Sequence, residues 1–411
     1  MGGENPMMYI KVKEAAEKWG VTTRRVQELC KQGMIPGAQL WERTWMLPAD
    51  AQYPRKEDIK RNLPMPRKTP YLTMTDLYHT PGCAEATAAE LAGQPEAKAL
   101  FEGEIAYFRG DIDGVYDHAR YFLQEHTGMY AVLSAGMLLA MCAIWKGDLE
   151  MWKKAAAHIC QAPCANEKDE SIVALSLAAS NLEIRNLKQF PQWFTSGRFG
   201  RLPADAHPVA RIYYIKCLTI YAQELALEHV KLDHVKGLGM MRMLPHTVEP
   251  FIVQAQVDRT VIVEIYLRLL AAVIYQNSGD TDRAIEHIDA AIALALPDRL
   301  LGILAEHRRQ LGYLLDDRLA AVDPEALKRL KEMHKQMQQG WTKLHNAVAE
   351  KTVSASLTVR EREVARMAAF GYSDQEIADH LKLSKHTVKS LLSMAKNKTG
   401  AMKRGELAAF I

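Results

Sequence analysis

Residues 357–400 read LTVREREVARMAAFGYSDQEIADHLKLSKHTVKSLLSMAKNKTG. Three helix starts are written into this stretch. Thr358 and Glu361 form a T-x-x-E capping box, in which each side chain satisfies an otherwise orphaned backbone N–H. Ser373 and Glu376 repeat the device before a second helix, and Ser384 caps a third after a tight turn at Lys382-Leu383. Gly371 closes the first helix, as a left-handed residue just past the last turn does. Ile377, Ala378, Leu381 and Val388 supply the apolar positions that pack the second helix on the third. Two short helices joined by a three-to-four-residue turn make a helix-turn-helix. The third helix carries Lys385, His386, Thr387, Lys389, Ser390, Ser393 and Lys396, a polar, basic face suited to a DNA major groove.

The same stretch resembles the LuxR/GerE-type DNA-binding domain of bacterial transcription regulators. The resemblance rests on L-T-x-R-E-R-E-V, G-x-S-x-x-E-I-A-x-x-L, S-x-x-T-V-K and K-x-G at the family's spacing, and covers about one seventh of the chain. It implies that Lys389, Ser390 and Ser393 face bases, while Lys385, Thr387 and Lys396 lie near phosphates. It also implies a dimer, with the last helix (Lys403–Ile411, holding Leu407, Ala408 and Phe410) available for pairing. The chain departs from the family at Leu391, where His is frequent, and at Ala395 and Thr399, where larger apolar residues are usual.

The other end carries a second candidate reader. Residues 9–48 read YIKVKEAAEKWGVTTRRVQELCKQGMIPGAQLWERTWMLP. Val12, Ala15, Ala16 and Trp19 mark one face of a short helix ended by Gly20. Thr22-Thr23 caps a second, Arg24 to Gln32, with Val26, Leu29 and Cys30 inward. Two β-prone runs, Ala38 to Trp41 and Thr44 to Leu47, flank a two-residue hairpin turn at Glu42-Arg43. Helix, turn, basic helix and hairpin compose a winged helix-turn-helix, and the pattern resembles MerR/excisionase-like domains. That resemblance implies that Arg24, Arg25, Gln27 and Lys31 face the groove and that Arg43 sits at the wing tip. Trp19, Trp41 and Trp45 are read as core and wing packing. A Pro-rich stretch from Pro48 to Pro81 follows and reads as a linker, free or packed on a neighbouring domain.

From Glu85 to Glu350 helical patterns alternate with brief turns. Tyr107-Phe108-Arg109-Gly110-Asp111 is echoed by Ile144-Trp145-Lys146-Gly147-Asp148 and by Tyr275-Gln276-Asn277-Ser278-Gly279-Asp280. Gly serves as the left-handed cap of one helix and Asp as the N-cap of the next. The helices expected are Pro95–Arg109, Ile112–His126, Met129–Lys146, Leu149–Gln161, Glu167–Asn186, Pro208–His229, Pro250–Gln276 and Thr281–Leu296. A last one starts at Asp323-Pro324-Glu325 and runs to about Lys351, either connecting the stack to the C-terminal reader or pairing two subunits. Small Ala at close-packing positions makes the whole resemble irregular tetratricopeptide-type repeats. Met240-Met241-Arg242-Met243-Leu244 reads as core packing, with a ligand groove as the alternative.

Charge divides the same way. Residues 1–70 hold 13 Lys+Arg against 8 Asp+Glu, residues 354–411 hold 10 against 6, and the middle carries the remaining 29 against 35. Basic ends suit phosphate contacts, whereas the acidic middle argues against DNA wrapping the whole molecule. Six cysteines at irregular spacing make no disulfide framework, and His158, Cys160 and Cys164 lack the second pair a zinc site needs. Residues 127–145 carry no charge and are long enough to span a bilayer, but they read as a buried helix and no other segment is read as resembling them. Met1 to Pro6 shows no secretory signal pattern.

No G-x4-G-K-[ST] loop, G-x-G-x-x-G after a strand, G-x-S-x-G or H-E-x-x-H occurs. The expectation is therefore a cytoplasmic, non-enzymatic, mainly α protein with no cofactor and no metal. A winged helix-turn-helix over 1–62, a linker over 63–82, a repeat stack over 83–350 and a LuxR-type helix-turn-helix over 351–411 are its parts. The partners read from it are double-stranded DNA, a second copy of the chain, a small-molecule or peptide effector in the middle and RNA polymerase, with no membrane. The rival reading is a repeat-type adaptor whose terminal domains bind protein.

Overall fold

A computed structural model describes residues 9–31, 35, 38–41, 44–53, 77–125, 129–186, 190–227, 231–348, 357–399 and 401–410. The chain divides into two compact units, residues 1–66 and 67–411.

In the first unit, β1 (Tyr9–Lys11) leads into α1 (Val12–Trp19) and α2 (Thr23–Lys31), and β2 (Gln39–Trp41) and β3 (Thr44–Pro48) complete an antiparallel sheet in the order β1-β3-β2. Gly20, at φ 66°, ends α1, and the Thr22 hydroxyl accepts from the Arg25 N–H (3.3 Å) to start α2. Trp41 pairs with Thr44 across the expected two-residue connection; Glu42 and Arg43 lie outside the described residues. Val12, Ala15, Val26, Leu29 and Leu47 are buried together. β1 was not anticipated, because three residues are too short for an alternation signal. Trp41 corrects a second expectation. It is 64% exposed on the edge strand and stacks on Tyr9, whereas Trp19 packs edge-on against Tyr53.

The second unit is helical. It comprises α3 (Ala84–Glu90), α4 (Pro95–Arg109), α5 (Ile112–Glu125), α6 (Met129–Lys146), α7 (Leu149–Cys160), α8 (Glu167–Glu183), α9 (Gln192–Thr195), α10 (His207–Leu227), α11 (Lys231–Val257), α12 (Val261–Ser278), α13 (Thr281–Ala295), α14 (Leu301–Leu311), α15 (Tyr313–Val322), α16 (Pro324–Val348), α17 (Val359–Ala369), α18 (Asp374–Leu381) and α19 (Lys385–Thr399). The echoed Gly-Asp turns share one geometry. Gly110, Gly147 and Gly279 are left-handed at φ 85°, 64° and 88°, and the following Asp accepts from the N–H three residues on. Each turn folds one helix back against the next, so α4–α5, α6–α7 and α12–α13 are packed pairs.

Three expectations for the middle need correction. The helix read over Pro250–Gln276 is two. Arg259 takes a left-handed φ of 54° and the Thr260 N–H returns to the Ala255 carbonyl, which breaks the chain between α11 and α12. Helix α11 instead begins well upstream and carries Pro245 and Pro250 inside it, each without a backbone donor. Residues 127–145 are not unusual either: α6 and α12 are both long and apolar enough to cross a bilayer, and both are largely buried in the stack. Helix α16 is not a bare connecting rod. It lies against α6 and α14, and Gly340 sits so close to the Trp145 carbonyl that a Cβ there would approach to 2.0 Å. Its apolar stripe is therefore used within the chain. The end of the linker stretch packs on the stack: the buried Tyr78 hydroxyl donates to Asp298 Oδ2 (2.5 Å) and the Gly82 N–H to the same oxygen (2.7 Å). Met241 and Leu244 of the Met-rich run are buried, while Met243 is exposed.

Candidate nucleic-acid interface

Helices α17, α18 and α19 are started by the caps the sequence announces. Thr358 Oγ1 accepts from the Glu361 N–H (3.2 Å) and Glu361 Oε2 from the Thr358 N–H (2.8 Å). Ser373 and Glu376 exchange the same pair at 3.3 and 2.7 Å. Ser384 Oγ accepts from the Thr387 N–H at 3.0 Å. Between α18 and α19, Lys382 adopts φ 51°, and the Leu383 N–H bonds the Ala378 carbonyl (2.8 Å). This is the tight turn of a helix-turn-helix. Val364, Ala365, Ala368, Ile377, Ala378, Val388, Leu392 and Ala395 form the core beneath it.

Helical periodicity then sorts α19. Val388, Leu392 and Ala395 face the core, so Lys385, Lys389 and Ser393, four residues apart, share the outer face. Lys385, His386, Thr387, Lys389, Ser390 and Ser393 are all exposed. Two lysines near the end of the helix behave differently. Lys396 is half-buried and donates to the Met402 carbonyl (3.2 Å). Lys398 donates to Glu361 Oε2 (2.8 Å), fastening α19 to the start of α17. Burial opposes ionisation of Glu361, but Lys398 and the Thr358 hydrogen bonds outweigh it and hold that carboxyl below the usual carboxylate range.

The last segment corrects the expectation of an open pairing helix. Residues Gly405–Phe410 form a 3₁₀ helix that folds back on α17, with Leu407 fully buried and Phe410 packed on the domain's own core. Arg404 secures it through Asp374 Oδ1 and the Tyr372 carbonyl, both at 2.7 Å.

What sequence reasoning missed is the other side of α17. Arg362 and Glu363 are 4% and 3% exposed. They face the stack. Glu363 Oε1 accepts from the Tyr313 N–H (2.9 Å) and so caps α15 from another part of the chain, where a carboxylate also suits the helix dipole. Arg360 holds the second Glu363 oxygen (2.9 Å) and lies over the Tyr313 ring (4.7 Å). Gly312, at φ 59°, makes room: a Cβ there would fall 1.6 Å from Glu363 Oε1. The Tyr372 hydroxyl donates to the Asn277 carbonyl (3.2 Å). Gln338 of α16, with its amide turned to satisfy both neighbours, accepts from Arg362 Nη1 and Nη2 (2.6 and 2.7 Å) and donates to His334 Nε2 (3.0 Å). The only sequence signal was charge on both sides of a short helix. The domain is thus docked by its first helix while the outer face of its third stays open.

In the first unit, Arg24 and Gln27 are exposed on α2 and Arg25 is half-buried; Lys31 closes the helix, and Arg43 lies outside the described residues. Arg24 and Gln27, three apart, share one face. His158, Cys160 and Cys164 are not brought into a metal-binding group among the described residues.

A short capped helix-turn-helix with an open basic third helix defines a DNA-reading class of fold. Residues 355–411 match the family of bacterial regulatory proteins, luxR family. This segment is a LuxR-type helix-turn-helix domain. No curated protein and no solved structure is similar enough to the chain to match it.

Proposed function

We propose that the chain is a non-catalytic, cytoplasmic transcription regulator that binds promoter DNA through its LuxR-type domain, under the control of the helical stack. The observation that carries this reading is the combination of an open α19 face with a buried, charged α17 face. Lys389, Ser390 and Ser393 would meet base edges, and Lys385 and Thr387 the flanking phosphates. Lys396, already engaged with the Met402 carbonyl, is the weakest of the assigned contacts. The stack, read as tetratricopeptide-like, holds the domain at a fixed orientation through Glu363, Arg362 and Tyr372. A state change in the stack therefore changes how the reader is presented.

The first unit, read as MerR-like, adds a second contact through Arg24, Arg25, Gln27 and Lys31. One observation favours a protein-binding role for this unit instead: Leu40 and Trp41 stand 56% and 64% exposed on an edge strand, an apolar pair well suited to protein contact. RNA polymerase and a second copy of the chain are the partners this regulator would need. The test is duplex binding by the full chain across a salt series. If Lys385 neutralises one phosphate, replacing it lowers the slope of log K against log salt by about 1. An unchanged slope overturns the assignment of α19.

A further inference from the structure

Helix α11, the longest of the described helices, leaves one face unused. It packs against α10 and α12 with Met241, Leu244, Val248, Ile252 and Ala255 buried. At about 100° per residue, the opposite side gathers Val235, Gly239, Met243, His246, Pro250, Val253 and Val257 within an arc of about 80°. All seven are exposed. Val235, Met243, Val253 and Val257 are 56%, 61%, 56% and 72% exposed, and no other described helix carries as many large apolar side chains in solvent. The two other apolar surfaces that could pair two copies, the stripe of α16 and the segment Gly405–Phe410, are used within the chain.

From Gly239 to Val257 the stripe advances by alternating steps of four and three residues, the a/d spacing of a seam between two helices. The seam is complementary to itself when reversed. An antiparallel copy related by a twofold at residue 248 sets Gly239 opposite Val257, Met243 opposite Val253 and His246 opposite Pro250, so every layer joins a larger side chain to a smaller one. It also brings Lys236 to within about 3 Å, along the axis, of the level of Asp258 of the second copy. Both already have a surface partner in their own helix, Asp233 (3.5 Å) and Gln254 (2.9 Å), so they favour an orientation more than they add strength. A parallel copy would set Lys236 beside Lys236 and Gly239 opposite Gly239. Val235 to Val257 spans about 33 Å and a helix is about 10–12 Å wide, so the pair would cover about 700–800 Å² in all, the range of weak, transient contacts. Arg242, at the margin of the stripe, lies beside the helix-turn-helix domain: burial and Glu376 push the Tyr372 phenol up, and Arg242 draws it back.

We propose that the outer face of α11 pairs with the same face of a second copy of this chain, antiparallel, in a weak and reversible homodimer. The proposal deepens the regulator reading and rests on it for the choice of a second copy as the occupant. The contact is isologous, so each substitution on the face acts twice.

The test is sedimentation equilibrium of the full chain across about 1–100 μM, where a contact of this size dissociates. The unaltered chain passes from monomer to dimer over that range. Val253→Glu places two carboxylates in the seam and weakens association at least about tenfold, with Tm unchanged because the position is exposed. The register has its own readout, with the exposed Cys160 and Cys164 first replaced by Ser. A chain carrying both Met243→Cys and Val253→Cys forms an interchain disulfide on mild oxidation. Val253→Cys alone does not, because the two copies of that residue stand about 15 Å apart along the seam. A monomer at every concentration, or a dimer unchanged by Val253→Glu, overturns the pairing face; equal crosslinking by Val253→Cys alone overturns the antiparallel register. Duplex binding on the same samples separates the two readings. A chain that pairs through α11 but binds no DNA keeps the face and loses the regulator, while an unaltered chain that stays monomeric yet binds duplex keeps the regulator and loses the face.

Discussion

Helices α17 and α19 belong to one small domain, are both rich in charge and have opposite fates. On α19 Lys385, His386 and Lys389 stand in solvent and Val388, Leu392 and Ala395 in the core, as on an amphipathic surface helix. On α17 the core face is ordinary, but Arg362 and Glu363 on the other face are as buried as the valines. The difference is what lies opposite: solvent for α19; Gln338, Tyr313 and the turn at Gly312 for α17. A charge run on a helix therefore does not by itself announce a solvated face. Here one run faces solvent and the other ties the helix-turn-helix domain to the stack.

The tie is the place to break the comparison first. Burial holds the imidazoles of His287, His307, His334 and His380 below their usual range, His307 down to about 3 and His334 to about 4. Unfolded, each protonates near pH 6.5, so the unfolded chain takes up more protons below that pH. The stability they provide is complete above about pH 6.5 and is lost as pH falls toward 4. Glu306 and Glu363, pushed up by burial, act in the opposite sense but are fewer. The net loss is about 1.4 kcal/mol per pH unit for each imidazole in excess. Denaturant titrations at stepped pH should show it, and a flat profile from pH 6.5 to 4.5 would contradict the buried, neutral imidazoles.

Gly312→Ala comes next. It meets both a left-handed φ and the Glu363 carboxylate, and should cost about 3 kcal/mol and expose α17 to hydrogen exchange. Glu363→Gln removes the charge that caps α15 and should cost about 1–3 kcal/mol with a smaller rise in exchange. Ser373→Ala, which touches only the N-cap of α18, should cost about 1 kcal/mol and leave the exchange of α15 unchanged. Lys385→Ala and Lys389→Ala close the series. Each should change stability by less than about 0.5 kcal/mol while weakening DNA binding. A Lys389→Ala that destabilised the chain as Gly312→Ala does would erase the distinction between the two helices.

How far this was legible follows from the range of the signals. The caps at Thr358, Ser373 and Ser384 and the Gly-Asp turns at 110, 147 and 279 are local, and each reads directly from three or four residues. The break at Arg259 has no such mark, because a left-handed arginine looks like any other and the apolar pattern runs through it. Helix α11 was obscured by Pro245 and Pro250, which tertiary packing overrides. The exposure of Trp41 and the burial of Leu407 depend on what lies beside them, not on their own type. The cluster around Glu306 is the extreme case: Arg185, Lys216, the pair Glu306 and Arg309, and Gln338 come from four places along the chain, and the stacking of helices brings them together.

The central claim, that the open face of α19 reads base sequence while α17 stays docked, is tested most directly by selection of duplexes from a random library. The full chain would be compared with a Lys389→Ala, Ser390→Ala, Ser393→Ala triple variant, with the fold of both checked by thermal unfolding. The account predicts an enriched motif for the unaltered chain and its loss, at unchanged Tm, for the variant. The same motif recovered by both would contradict it.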